Sequence, residues 1–270
     1  MAKEIAIENP TTDDPRFAGI ARLYGRDAFE QLRRSHIAVV GIGGVGSWAA
    51  EALGRTGVGR ITLIDLDEVC QTNTNRQLPA MTGQIGRPKV EVMAERLRAI
   101  NPDCEVRAVI DFVTDRTLPD YITEDLDGVA DCIDSVKSKV ELIAWCRRRR
   151  IPIVTAGGAA GQIDPTQVTV SDLSRTTNDP LAAKARSQLR RNHNFPKSGS
   201  KRSFGVPCVY STEQLRYPAP DGTFCREKTF AGETVKLDCE GGLGAVSMVT
   251  GTFGLVVAAR LVDRILARKR

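Results

Sequence analysis

Six residues, Gly41-Ile42-Gly43-Gly44-Val45-Gly46, follow the apolar run His36–Val40 and precede a helical stretch at 47–56. A G-x-G-x-x-G run gains meaning in that strand–turn–helix setting. Glycine permits the tight turn and close backbone approach to a phosphate, and the helix start offers unpaired N–H groups with a partial positive charge. Asp65 lies 24 residues beyond Gly41, at the end of a second strand-like run, 60–65, placed to accept hydrogen bonds from ribose hydroxyls. The turn predicts a nucleotide site. By itself it leaves the kind of nucleotide open.

The rest of the chain supports the fold that this turn implies. Apolar positions Val90, Met93, Ala94, Leu97 and Ile100 recur at helical spacing over Lys89–Ile100, which Asn101-Pro102 closes. Runs at 105–110, 128–133 and 151–154 read as further strands, with a helix at 137–148 between the last two. Strands alternating with helices predict an α/β fold: a Rossmann-like, doubly wound, mostly parallel sheet with its ligand beyond the carboxyl ends of the strands. After about Gly157 the rhythm changes. Residues 162–170 read as a more exposed strand, and 208–216 with 233–237 as an antiparallel C-terminal extension. We divide the chain into an N-terminal helical arm (1–34), a nucleotide-binding core (35–173), a flexible basic insertion (174–205) and C-terminal strands and helix (206–270) completing the same domain.

Composition narrows the function classes. Hydrophobic residues make up 41% and charged residues 26%, and the net charge is +5, which excludes collagen, wholesale disorder, a coiled-coil rod and a polytopic membrane protein. The seven cysteines include no C-x-x-C pair, so reduced thiols in the cytoplasm are expected rather than a disulfide framework or a zinc ribbon. Any one of them reads as buried packing before it reads as a nucleophile. Only His36 and His193 are present, which disfavours histidine-based metal or triad chemistry. The uncharged stretch 243–259 is short for a bilayer span and rich in small residues, so it reads as a buried helix; a peripheral membrane contact stays open.

The segment D-L-D-E-V-C-Q-T-N-T-N-R-Q from Asp65, followed by G-R-P-K ending at Lys89, separates nucleotide chemistries. Hydride transfer needs no such cluster near its phosphates. A triphosphate does, because Arg and Lys neutralise its charge and stabilise a departing pyrophosphate. With the glycine loop, D-x-D, N-x-x-R-Q, a lysine and the later Asp134 all in order, residues 16–161 resemble the E1-like adenylating family. The resemblance implies ATP held by Gly41, Gly43, Gly44, Gly46, Asp65, Asp67, Asn73, Arg76, Gln77 and Lys89. It gives catalytic roles to Arg76, Lys89 and Asp134, with Asp134 as the Mg²⁺ ligand, and to Arg22, which would reach the partner's site in a homodimer. A carboxylate at a strand end independently suits a hard cation bridging phosphate oxygens.

Between 174 and 205 eight Lys and Arg face a single acid, Asp179, and this stretch suits a phosphate backbone; Arg186, Arg190, Arg191, Lys197, Lys201 and Arg202 are the RNA-contact candidates. R-L-Y-G from Arg22, V-C-Q-T-N-T-N-R-Q from Val69, G-G-A-A-G-Q-I-D-P-T-Q from Gly157, D-P-L-A-A-K from Asp179 and D-C-E-G-G-L-G-A from Asp238 carry the likeness further. They resemble the tRNA threonylcarbamoyladenosine dehydratase subfamily over nearly the whole chain. That subfamily implies ATP-dependent cyclisation of N6-threonylcarbamoyladenosine (t6A) at position 37 of tRNA, through an adenylated threonyl carboxylate. It also adds a structural Na⁺ or K⁺ and cysteine-desulfurase relay partners, and no DNA partner. The alternatives are adenylation of a ubiquitin-like sulfur carrier, an NAD(P)-dependent oxidoreductase and a non-catalytic tRNA-binding or sulfur-relay scaffold.

Overall fold

Strand β1 (His36–Val40) buries both faces: Ile37 and Val39 enter one apolar cluster, Ala38 and Val40 another. A strand covered on both sides reads as a continuous apolar run rather than an alternation. Its neighbour β2 (Arg60–Ile64) does likewise, with Ile61 and Leu63 on one face and Ile64 on the other. The computed structural model describes residues 14–219, 221–226 and 243–268. Beyond β1 and β2 come β3 (Glu105–Val109), β4 (Gly128–Asp131), β5 (Ile153–Ala156), β6 (Val168–Asp172) and β7 (Pro207–Ser211), in one sheet of order β3-β2-β1-β4-β5-β7-β6. All neighbours pair in parallel except β6 with β7. The chain leaves β1 towards β2 and later returns to β4 on β1's other side, so the topological switch lies between β1 and β4.

Helices α1 (Ala18–Tyr24) and α2 (Arg26–Arg34) precede the sheet. One face is covered by α2, α3 (Gly46–Arg55), α4 (Lys89–Ile100) and α8 (Ser247–Leu266), through Leu32, Leu53, Met93, Leu97, Phe253 and Leu261. The other face is covered by α5 (Leu118–Tyr121), α6 (Val136–Arg149) and α7 (Pro180–Asn192), through Leu118, Leu142, Ile143, Ala185 and Leu189. A short hairpin, β8 (Tyr217–Pro218) with β9 (Phe224–Cys225), stands apart from the sheet.

The small residues of α8 have a packing reason. Gly251 and Gly254 lie against Trp48 of α3, and a Cβ on Gly254 would collide with the Val45 carbonyl and come within 2.7 Å of Trp48 Cβ. Gly254→Ala therefore has two opposed effects: alanine favours a helix by about 1 kcal/mol, while overpacking costs about 1–3 kcal/mol. A net loss of stability is expected, read as a lower urea midpoint at unchanged slope; a gain would mean that α3 and α8 separate freely. Among the described residues no helix is long and apolar enough to cross a membrane.

Several expected boundaries move. The strand expected at 128–133 stops at Asp131, whose carboxylate takes the Ile133 N–H and turns the chain. The run at 151–154 pairs two residues later, because Pro152 has no N–H to give the ladder. In 162–170 only the end is strand: β6 starts at Val168, after a turn capped by Asp164. The antiparallel extension is β6 on β7; the strand expected at 233–237 lies outside the described residues. The largest correction concerns 174–205. Its central part is not a flexible run but the helix α7, capped by Asp179 with proline at its first turn, which buries Leu181, Ala182, Ala185 and Leu189.

Candidate active site

The glycine turn sits where β1 ends. Gly41 has φ +86°, a conformation that glycine adopts without strain, and a Cβ there would lie 2.8 Å from the Cys132 carbonyl beyond β4. Gly46 allows no side chain either, because its Cβ would strike the Gly41 carbonyl. Asp65, just past β2, braces this turn: one carboxylate oxygen accepts the Ile42 N–H at 2.5 Å and the other the Asp67 N–H at 2.8 Å. Burial raises its pKa above the ordinary carboxylate value, against the pull of Lys89 and the two backbone donors.

The loop after β2 folds back over the turn. Asn73 is buried and its side chain accepts the Cys70 N–H at 3.2 Å, closing a short 3-10 turn. The Arg76 carbonyl accepts from Trp48 Nε1 at 3.2 Å and from the Thr250 hydroxyl at 3.4 Å, which pins the loop to α3 and α8. The Arg76 stem thereby lies 3.3 Å from where a Gly44 Cβ would be, and its Nη1 donates to the Thr72 carbonyl and the Asn75 side chain. Gln77 is buried with its amide nitrogen 3.8 Å from the corresponding position at Gly43, and its Oε1 has no hydrogen-bond partner among the described residues. Lys89, first residue of α4, is buried and gives Nζ to Asp67 at 2.7 Å. Asp134 is exposed three residues beyond β4, on the loop whose Cys132 abuts Gly41.

Glycine backbone, two cations, a buried amide oxygen without a partner among the described residues, and the three carboxylates of Asp65, Asp67 and Asp134 thus lie at the carboxyl ends of β1, β2 and β4, astride the switch point. That donor set fits a nucleoside polyphosphate: acidic acceptors for a ribose, N–H groups and cations for phosphates. The sequence model of the ThiF family matches residues 17–270. The chain belongs to the ThiF family. It is similar to the tRNA threonylcarbamoyladenosine dehydratase of Escherichia coli (strain K12), 54% identical with 94% of each chain covered. It is also similar to the protein of that name from Haemophilus influenzae (strain ATCC 51907 / DSM 11121 / KW20 / Rd), 47% identical with 95% of each covered. A crystal structure of the E. coli enzyme in complex with ATP has the same fold, with TM-score 0.83, 51% identity, and 93% of this chain and 94% of that one covered.

Within this ThiF-family chain, the candidates from Gly41 to Asp134 lie around the glycine turn and the others do not. Arg22 is exposed on α1 and forms no ion pair among the described residues. Arg191, Lys197, Lys201 and Arg202 are exposed, whereas Arg186 and Arg190 are half-buried, Arg190 lying 5.4 Å over the Phe204 ring. Burial pushes the Cys104 thiol up to about 11 and Cys132 to about 12, and raises Cys146 and Cys208 too. Buried thiols of this kind are poor nucleophiles at neutral pH, as the sequence reading of the cysteines expects. No cluster of three His, Cys, Asp or Glu able to hold a metal occurs among the described residues.

Two supporting arrangements escape a reading of the sequence. Asp131, Lys139 and Thr155 form a buried triad: Asp131 Oδ2 accepts Lys139 Nζ at 2.8 Å and the Thr155 hydroxyl at 2.6 Å. Asp179 accepts the Gly158 N–H at 3.0 Å and the Ala182 N–H at 2.8 Å, and leaves no room for a Cβ on Gly157. Both join residues on different elements, outside the period of any one helix or strand, so no local pattern announces them. The only local signal is the Asp179-Pro180 pair, an N-cap followed by a first-turn proline.

Proposed function

We propose that the protein catalyses the ATP-dependent dehydration of N6-threonylcarbamoyladenosine at position 37 of tRNA to its cyclic form. The observation that carries the reading is the E. coli relative of that name, matched at 54% identity over 94% of both chains, and the glycine turn with Arg76, Lys89 and Asp134 in this chain supports it. The free carboxylate of the threonyl group attacks the α-phosphorus of ATP and pyrophosphate leaves. The neighbouring carbamoyl group then attacks the activated carbonyl carbon and loses its proton as AMP departs; the nucleoside loses one water overall. The second step is intramolecular, so it profits from proximity and calls for no enzyme nucleophile.

In this reading Gly41, Gly43, Gly44 and Gly46 give the phosphates close backbone approach, and Asp65 and Asp67 hold the ribose end. Arg76 and Lys89 offset charge on the departing pyrophosphate, with Asn73 and Gln77 supporting them. Asp134 would hold Mg²⁺, whose contribution when bound is to neutralise phosphate charge. Arg22 from a second copy of the chain completes the site of a cytoplasmic homodimer. Arg190, Arg191, Lys197, Lys201 and Arg202 line up for the tRNA backbone, continuing from Arg186.

The test is incubation with ATP, Mg²⁺ and threonylcarbamoylated tRNA, followed by nucleoside mass analysis. A modified nucleoside one water lighter, with AMP and pyrophosphate formed in equal amount, is the expected result. Pyrophosphate exchange that depends on a ubiquitin-like sulfur carrier and ignores tRNA would assign the crevice to carrier activation instead.

A further inference from the structure

A cleft of about 400 Å³ opens between the start of α7 and the chain leaving β7, with Asn178, Asp179, Arg186, Leu215, Tyr217 and Arg226 on its walls. It adjoins the crevice described above without belonging to it. Asp179 in its floor holds Gly158, two residues past β5, and β5 stands two strand spacings from β1, about 10 Å along the same edge of the sheet.

The charges of this cleft are unbalanced. Asp179 is engaged by the backbone N–H groups of Gly158 and Ala182 and forms no ion pair among the described residues. Arg186 is half-buried, its hydrogen bond goes to the Thr176 hydroxyl, and neither it nor Arg226 pairs with a carboxylate among the described residues. Burial, and then the neighbouring Arg190, act against the charged form of Arg186, and the charge of Asp179 offsets them only in part. A partly desolvated guanidinium beside open space favours an anion, above all a phosphate, which its planar fork can grip at two points. Tyr217 adds an aromatic face and Leu215 an apolar wall, the surroundings in which an unstacked base is held.

Guanidinium for a phosphate and phenol ring for a base together describe a nucleotide. A free mononucleotide and a nucleotide of RNA share that chemistry. The cations continue outward from the cleft along α7 and the following loop, through Arg190, Arg191, Lys197, Lys201 and Arg202, which suits a polyanion rather than a single phosphate group. We propose that this cleft receives a nucleotide of the tRNA flanking the modified adenosine, with its phosphate on Arg186 and Arg226 and its base against Tyr217. The inference rests on the tRNA substrate proposed above and adds the place where the strand is gripped.

The experiment uses the full chain and an anticodon stem-loop RNA carrying threonylcarbamoyladenosine, with affinity read by fluorescence anisotropy at several salt concentrations. Arg186→Gln and Tyr217→Ala are each expected to weaken RNA binding about tenfold, and Tyr217→Phe, which keeps the ring, to retain it. Arg226→Gln changes an exposed residue and serves as the variant least able to disturb folding. Each arginine change should also lower the slope of log affinity on log salt by about one. KM for tRNA should rise with these changes while KM for ATP stays put. RNA affinity unchanged in Arg186→Gln, Arg226→Gln and Tyr217→Ala overturns the proposal, and so does AMP alone binding the cleft as tightly as the RNA. A wild type that binds the RNA but forms no cyclic product removes the dehydratase reading and leaves the cleft standing. Turnover of tRNA with all three variants binding normally removes the cleft alone.

Discussion

Arg76→Ala and Lys89→Ala should each slow adenylate formation about 100- to 1,000-fold, the usual cost of removing one preorganised group that meets charge developing in a transition state. The two side chains come from different elements. Arg76 comes over Gly44 from a loop anchored to Trp48 and Thr250, and Lys89 from the first turn of α4. Neither change should unfold the protein. Lys89 is buried, but its partner Asp67 is 62% exposed, so water takes over that carboxylate when the lysine is removed. Pyrophosphate exchange supported by threonylcarbamoylated tRNA measures the effect, with thermal denaturation as control. Rates within threefold of wild type for both variants would place the polyphosphate elsewhere.

The largest stability effect should come from Lys139→Met. Lys139 and Asp131 are 1% and 0% exposed in their side chains, and Thr155 completes the arrangement across β4, α6 and β5. Removing the lysine strands a buried carboxylate, which costs about 3–5 kcal/mol and lowers Tm on the order of 10 °C. Replacing the pair together, as Asp131→Leu with Lys139→Met, should recover much of the loss, because an apolar pair leaves nothing unsatisfied. A double-mutant cycle followed by urea denaturation isolates the coupling. Strictly additive losses would show that the two groups act independently. Asp131 also takes the Ile133 N–H at 3.2 Å, so the pair steadies the loop that presents Asp134.

Local periodicity accounts for what could be read without coordinates. The turn at Gly41–Gly46, the run His36–Val40 and the helix Lys89–Ile100 depend on neighbours in sequence, and each is found where it was expected. The helix α7 was missed because its buried stripe is built partly from Ala182 and Ala185, with Lys184 and Arg186 interleaved, so its hydrophobic contrast is weak. The Asp131 triad and the Asp179 brace were illegible for a different cause: they close between separate elements, Asp131 to Thr155 across 24 residues and Asp179 to Gly158 across 21, and a lone Asp, Lys or Thr looks the same on a surface as in a core. The cleft beside α7 belongs to that second class, being made by α7 and the segment after β7 together.

The pairing of α3 with α8 brings together segments about 200 residues apart in the chain. During synthesis the phosphate-gripping turn is therefore made long before the helix that braces Trp48 and the Arg76 loop. Until Gly251 and Gly254 arrive, that flank of the sheet stays bare, and the emerging polypeptide presents apolar surface to whatever surrounds the ribosome. Nucleotide affinity should thus arise late and abruptly in biogenesis, and a chain stalled before this helix should be a client for chaperones rather than a partial enzyme.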